Sequence, residues 1–315
     1  MEEINTSFSD LMDAKTINLY DIKKIKVGIK ELDNTLNGGI PFGCMTIIGA
    51  HEGSGKSTLV SQILCHAMED RENRVMLYSG EMSDSLLLNT LTYQVAGQHT
   101  TSDHFGRAFV PSSVSNLIKE RLRGRIFPYR MGSNAGDKFE RFKSDMKYAK
   151  EKLGCNIFVI DNLMSIADDL FSASINELDR QSKISVYLAE FAAEENVCLI
   201  LVAHTRKEGS FEVNNLNDTI SGSSKTKNSA SLILFYSDLK KEDKELAPND
   251  RLIKITKNRL YSRLNFTGIQ VHYDENCKRI YGDMDKATYL KDFSCFSNES
   301  DVPTDAQLAE LASII

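Results

Sequence analysis

The sequence predicts an α/β fold built on a mainly parallel central sheet, with an antiparallel extension at its C-terminal side. Three observations carry that prediction. Residues 44–68, CMTIIGAHEGSGKSTLVSQILCHAM, read as strand, glycine loop and amphipathic helix in immediate succession. Buried-strand text recurs near residues 74, 157 and 197, alternating with helix-period segments, as parallel strands joined by crossover helices require. From residue 231 onward strands follow one another with only turns between them, which reads as hairpins added to the parallel sheet.

In the first unit the apolar run Met45 to Ile48 leads into Ala50-His51-Glu52-Gly53-Ser54-Gly55-Lys56-Ser57-Thr58, after which Leu59, Val60, Ile63, Leu64, Ala67 and Met68 recur at helical spacing. The glycines let successive backbone N–H groups turn inward, so loop and helix N-terminus make a concave cradle for phosphates. Residues 50–58 are therefore the expected nucleotide-binding set, with Lys56 reaching the β/γ-phosphates and Ser57 offering its hydroxyl to Mg²⁺. The common pattern opens with Gly; here Ala50 holds that place with Gly49 just before it, a tolerated variant.

Composition is that of an ordinary globular chain: 315 residues, 41% hydrophobic and 26% charged, enough to bury a substantial core. A formal net charge of −6 excludes a general basic surface, so any nucleic-acid contact must come from a local concentration of Lys and Arg. The six cysteines never approach CxxC spacing and read as buried free thiols, not as zinc ligands or disulfides. No signal peptide and no apolar run of membrane-spanning length is present, and the expected location is the cytoplasm, without membrane contact.

The remaining elements follow in order. Residues 1–25 are short and polar, an arm or linker with a possible subunit-docking helix, and a short helix from Val27 ends at Gly38-Gly39. Arg74 to Ser79 reads as the second strand, with Glu81 just past its carboxyl end, where ligands of open α/β sheets bind. Ser83 or Asp84 caps the next helix; 98–110 reads as loop; Ser112 or Ser113 caps a basic helix to Arg123; Ile126 to Tyr129 is a brief strand. A helix over 137–153 stops at Gly154, and Ile157 to Ile160 is a buried strand ending in Asp161, the expected Mg²⁺ holder. A helix over 176–195 leads to the strand Val197 to Ala203, which places His204 beside Arg206 and Lys207 where a γ-phosphate is sensed. Residues 208–228 show no regular period and hold Lys225 and Lys227, a basic tract in an acidic protein. Strands at Ser231–Tyr236 and Arg251–Thr256 flank a charged turn, the second running into Lys257-Asn258-Arg259, and a final pair covers 268–273 and 279–281. Beyond Tyr289 an acidic tail begins, with a possible helix over 304–314.

Strand ends carrying acidic residues or histidine resemble the RecA-like ATPase core. More narrowly, the runs VGIKELDNTLNGGIPFGCMTIIGAHEGSGKST, SGEMS, VIDNLMSI, LVAHTRK and ITKNR, in that order, resemble the C-terminal domain of DnaB-type replicative helicases, including phage primase-helicases and Twinkle. The resemblance covers 27–281 and implies one helicase ATPase domain over 26–290, followed by the acidic tail over 291–315. It implies ATP and Mg²⁺ as cofactors: Lys56 and Ser57 on the triphosphate and metal, Glu81 activating the attacking water, Asp161 on Mg²⁺, and His204 reporting the γ-phosphate. Lys257 and Arg259 match cations that act in trans in the neighbouring subunit's site, although Leu260-Tyr261-Ser262-Arg263 stands where the family often has Gly, leaving Arg263 as an alternative finger.

Family members form hexameric rings that move 5′ to 3′ on single-stranded DNA, which here would run past Arg206, Lys207, Lys225 and Lys227. The short arm and the lack of zinc-ribbon cysteines imply a helicase without a fused primase, encoded by a phage or similarly reduced, working in the bacterial host cytoplasm with a separate primase, polymerase, loader or single-strand-binding protein. Two other classes share the core: RecA-like recombinases or recombination mediators, and KaiC-like regulatory ATPases.

Overall fold

The computed structural model describes residues 10–14, 16–132, 136–205, 217, 220, 222, 224–238 and 249–293. β1 (Lys24–Ile25) and β2 (Ile40–Pro41) pair antiparallel around α1 (Lys30–Thr35), after which β3 (Cys44–Ala50) enters the core. There follow α2 (Lys56–Ala67), β4 (Val75–Ser79), α3 (Asp84–Ala96), a small hairpin of β5 (Thr101–Ser102) and β6 (Ala108–Phe109), α4 (Ser112–Leu122) and β7 (Ile126–Tyr129). The chain continues through α5 (Lys138–Glu151), β8 (Ile157–Asp161), α6 (Leu163–Leu170), α7 (Glu177–Glu194), β9 (Cys198–His204), α8 (Ser224–Ser229) and β10 (Leu232–Asp238). It closes with β11 (Arg251–Asn258), β12 (Asn265–Asp274) and β13 (Arg279–Gly282).

Among the described residues one nine-stranded sheet runs β13-β12-β11-β10-β3-β9-β8-β4-β7. The stretch from β10 to β7 is parallel throughout, and β11, β12 and β13 extend it antiparallel, as the sequence predicts. Side chains alternate across the strands. In β9, Cys198, Ile200 and Val202 face α2, α3 and α4, while Leu199, Leu201 and Ala203 face α5, α6 and α7. Helices on both faces explain why β3 and β9 are apolar runs and not alternating ones.

Of the two helices with expected caps, one is capped as expected and one is corrected, and two further helices begin on side-chain caps at residues expected only as helix starts. Ser83 accepts from Leu86 N–H, Asp137 from Phe139 and Glu140, and Asn176 from Leu178. Neither Ser112 nor Ser113 caps α4; Pro111 occupies the cap position, and its fixed φ starts the turn one residue early. The hairpin β5–β6 lies in 98–110, read as loop, while α6 follows directly on Asp161-Asn162 and α8 begins within the aperiodic 208–228 and ends at Ser229. The two-residue strands and α8 are too short to display a period, whereas α6 carries Leu163, Ile166, Ala167 and Leu170 at i, i+3, i+4 and i+7, a helical signal already present in the sequence. The expected tail helix over 304–314 lies outside the described residues.

The described cysteines are free thiols, four buried and Cys44 half-buried. Burial pushes Cys155 and Cys277 up to about 11, so both stay protonated. No helix among the described residues is long and apolar enough to cross a membrane.

Candidate active site

Strand order and register decide which side chains meet. Ala50 at the end of β3 pairs with His204 at the end of β9, and Asp161 at the end of β8 pairs with Ser79 at the end of β4. The loop after β3, His204, Asp161 and Glu81 therefore emerge together at the carboxyl edge of four adjacent parallel strands.

The loop itself turns on Gly53 and Gly55, whose φ angles of 74° and 90° lie in the left-handed region that L side chains avoid. Ser54 steadies it, its N–H and hydroxyl both donating to His51 O at 3.3 and 2.7 Å. Lys56, the first residue of α2, is 4% exposed; its ammonium donates to His51 O at 3.2 Å and to His204 Nδ1 at 3.3 Å. An ammonium only donates, so Nδ1 is the acceptor and the ring carries its proton on Nε2, which donates to Glu81 Oε1 at 2.8 Å. Burial lowers the pKa of Lys56, opposed by the carboxylates of Glu81, Asp161 and Glu52.

Ser57 Oγ donates to Asp161 Oδ2 at 2.9 Å. Asp161 is 3% exposed, and its other oxygen, Oδ1, is buried with no hydrogen-bond partner among the described residues. Burial raises the Asp161 pKa, and neighbouring Glu81 adds to the rise, against the Ser57 hydroxyl, Lys56 and His204. A buried carboxylate with a spare oxygen beside a hydroxyl fits a small, hard divalent cation, which would satisfy Oδ1 and offset the burial cost.

The expected cations lie elsewhere. Asn258 at the end of β11 pairs with Leu232, which pairs with Thr46, four residues before Ala50. At 3.3 Å per residue, Arg259 lies at least about 13 Å from the phosphate-loop edge, at the opposite end of the sheet. Its backbone N–H donates to Ser231 O and its side chain is exposed. Lys257 is engaged within its own chain: its ammonium donates to Lys227 O at 2.6 Å and Asn228 O at 3.3 Å, neutralising the C-terminal carbonyls of α8. Burial, with Arg259 adding to it, lowers the Lys257 pKa to about 8. Arg263 donates to Asn37 Oδ1 at 2.9 Å. Lys225 is exposed and Lys227 half-buried on α8, which packs on α7 through Ser185 and Thr226. Arg206 and Lys207 lie outside the described residues.

Two features escape a reading of the sequence. A cavity of about 210 Å³ opens beside the phosphate loop between Ser54, Thr58, Tyr236, Arg251 and Tyr273. Its aromatic and guanidinium lining suits a flat ring attached to a bound phosphate chain, but Arg251 and Tyr273 come from the antiparallel strands, about 200 residues downstream of the loop. The second is Asn162, joined to Asp161 by a cis peptide bond, whose Nδ2 donates to Glu81 Oε1 at 2.6 Å. Its adjacency to Asp161 is the one sequence signal that marks it.

A model of the family described as DnaB-like helicase C terminal domain matches residues 24–280. DNA repair protein RadA of Salmonella typhimurium (strain LT2) is 26% identical over 204 residues, 64% of this chain and 36% of that protein. The chain spans about a third of the length of the curated relatives it matches. Among solved structures, a DnaB-like replicative helicase, solved with its interactions with primase, superposes with a TM-score of 0.62 at 19% identity, covering 82% of this chain and 62% of that one. A KaiC-like protein from the hyperthermophilic archaeon Pyrococcus horikoshii gives 0.55 at 16% identity, over 83% and 99% of the two chains. At these identities the structural likenesses show a shared fold, the RecA-like ATPase architecture.

Proposed function

The chain belongs to the DnaB-like helicase C terminal domain family, and from that premise we propose that it is an ATP-hydrolysing DNA helicase whose subunits assemble in a ring and move 5′ to 3′ along single-stranded DNA. The observation that carries this reading is the split of the machinery between the two ends of the sheet. Lys56, Ser57, Asp161, Glu81 and His204 converge at one end, while Arg259, exposed and at least about 13 Å away along the strands, has no route to its own phosphate loop. A second copy of the chain completes the site.

Lys56 and the loop amides of residues 50–58 hold the triphosphate of ATP, and Ser57 and Asp161 hold Mg²⁺. The ion supplies charge neutralisation on the β- and γ-phosphates. Glu81 accepts the proton of the attacking water, and His204, which donates to Glu81 and accepts from Lys56, couples occupancy of the γ-phosphate position to the carboxylate. Arg259 of one subunit neutralises charge on the phosphoryl group transferred in its neighbour, and Lys257 anchors α8 so that Lys225 and Lys227 meet the DNA backbone. Exposed Leu11, Met12, Ile17 and Tyr20 support the N-terminal arm as a surface that docks on the adjacent subunit. The base of ATP occupies the cavity lined by Arg251 and Tyr273.

The test is steady-state ATP hydrolysis against protein concentration, with and without single-stranded DNA. Turnover that rises with assembly and with DNA is expected. Turnover indifferent to both removes the motor. A second reading has a specific observation in its favour, the match to proteins named DNA repair protein RadA: an ATP-switched recombination mediator. Strand separation of a forked duplex with a 5′ tail distinguishes the helicase from it.

A further inference from the structure

We propose that Asn162 is a positioning residue that holds Glu81 in line for attack of water on the γ-phosphorus of ATP. The inference rests on the hydrolase reading above and adds to it a residue that the reading does not use.

Glu81 lies on a loop beyond the end of β4, and its side chain is 43% exposed. A carboxylate so placed samples several rotamers unless it is held. Asn162 is 1% exposed at the end of β8, and its amide has only one orientation: Oδ1 accepts the Ser165 backbone N–H at 3.1 Å, so Nδ2 faces Glu81. Nδ2 donates to Glu81 Oε1 at 2.6 Å, and His204 Nε2 donates to the same oxygen at 2.8 Å. Nδ2 and Nε2 are 3.0 Å apart, two donors converging on one acceptor. Glu81 Oε2 has no partner among the described residues and is left for the water.

The loop around Glu81 is braced independently. Gly80 N–H donates to Asp161 O at 2.7 Å, while Arg130 donates to Ser79 O at 3.2 Å and Met82 O at 3.4 Å and pairs with Asp84. The backbone is thus fixed on β8 and β7, and the remaining freedom lies in the glutamate side chain that Asn162 and His204 grip. In the reaction the water oxygen bonds to the γ-phosphorus and the bond to the bridging oxygen of ADP breaks. The water proton passes to Glu81 Oε2 and from there to solvent. Asn162 takes no proton; it keeps the accepting oxygen aimed.

Asn162 also caps α6 through Ser165, so a purely structural role must be separated from positioning. Asn162→Ser and Asn162→Asp both keep an oxygen that can cap the helix and both remove the N–H donor. The experiment is DNA-stimulated ATP hydrolysis by the full chain, with the melting temperature and the affinity for fluorescently labelled ADP measured alongside. For Asn162→Ser, kcat falls about 10- to 100-fold, as for a hydrogen bond to a charged group, while KM stays within about twofold. Asn162→Asp falls further, because a second carboxylate then faces Glu81. Folded variants with wild-type kcat overturn the inference and leave Asn162 as a cap. So does a loss of kcat matched by a loss of ADP affinity or of the melting transition. A wild-type protein that hydrolyses no ATP refutes the hydrolase reading itself, and the inference with it.

Discussion

Arg259→Ala and Lys56→Ala, mixed, test whether the site is built by two subunits. Each variant alone is expected to be inactive, the first through loss of a cation worth on the order of 10³-fold or more in rate, the second through loss of the phosphate-binding ammonium. Their defects lie on opposite ends of the sheet, separated by the rungs from Thr46 to Ala50 and the turn beyond Asn258. In a mixed ring, the Arg259→Ala subunit keeps its phosphate loop and the Lys56→Ala subunit keeps its Arg259. Random one-to-one assembly through a head-to-tail interface joins an intact loop to an intact arginine at about one quarter of the interfaces. The mixture is therefore expected to recover about one quarter of the wild-type rate if neighbouring sites fire independently, and less if they fire in sequence. Phosphate release, measured after the subunits have exchanged at low nucleotide, reads this directly. A mixture as dead as its components refutes trans action by Arg259, and Arg263, held on Asn37, becomes the finger to test next.

Other consequences follow from burial and charge. Asp161→Asn removes a charge that burial penalises while keeping an oxygen for the Ser57 hydroxyl; the nucleotide-free protein is expected to melt higher, by about 2–4 °C per kcal/mol relieved, with Mg²⁺-dependent hydrolysis abolished. A lower melting temperature would show that the carboxylate stabilises the empty fold. Asp33, although its carboxylate accepts from Val27 and Gly28 N–H, is lifted by burial from 3.8 to about 6. Its raised pKa favours the folded state fully below 3.8 and loses that advantage as pH rises to about 6, a change of up to about 3 kcal/mol. Urea denaturation across that window is expected to show the slope in the wild type and a flatter one in Asp33→Asn. Lys225→Ala and Lys227→Ala are expected to weaken single-strand binding and to reduce the slope of log affinity against log salt by about 0.7 for each phosphate no longer neutralised. Unchanged slopes place the DNA path elsewhere.

Local chemistry makes much of this protein legible from its sequence. The glycine loop needs left-handed backbone at Gly53 and Gly55, and the apolar runs of β3, β8 and β9 need helices on both faces; both requirements are written in residues adjacent along the chain. Asp161, Glu81 and His204 are marked by standing at or just beyond strand ends, a one-dimensional signal for a three-dimensional edge. Tertiary structure alone decided which strand lies beside which. The order β3-β9-β8-β4 reverses part of the sequence order and brings His204 between Lys56 and Glu81, a contact no spacing encodes. It also set Lys257 on the carbonyls of α8, put Arg259 at the far end of the sheet, and aimed Asn162 at Glu81. Periodicity reports the face on which a residue lies, because it repeats every two or 3.6 residues. The partner a side chain meets depends on crossover connections dozens of residues long, and only the folded sheet specifies it.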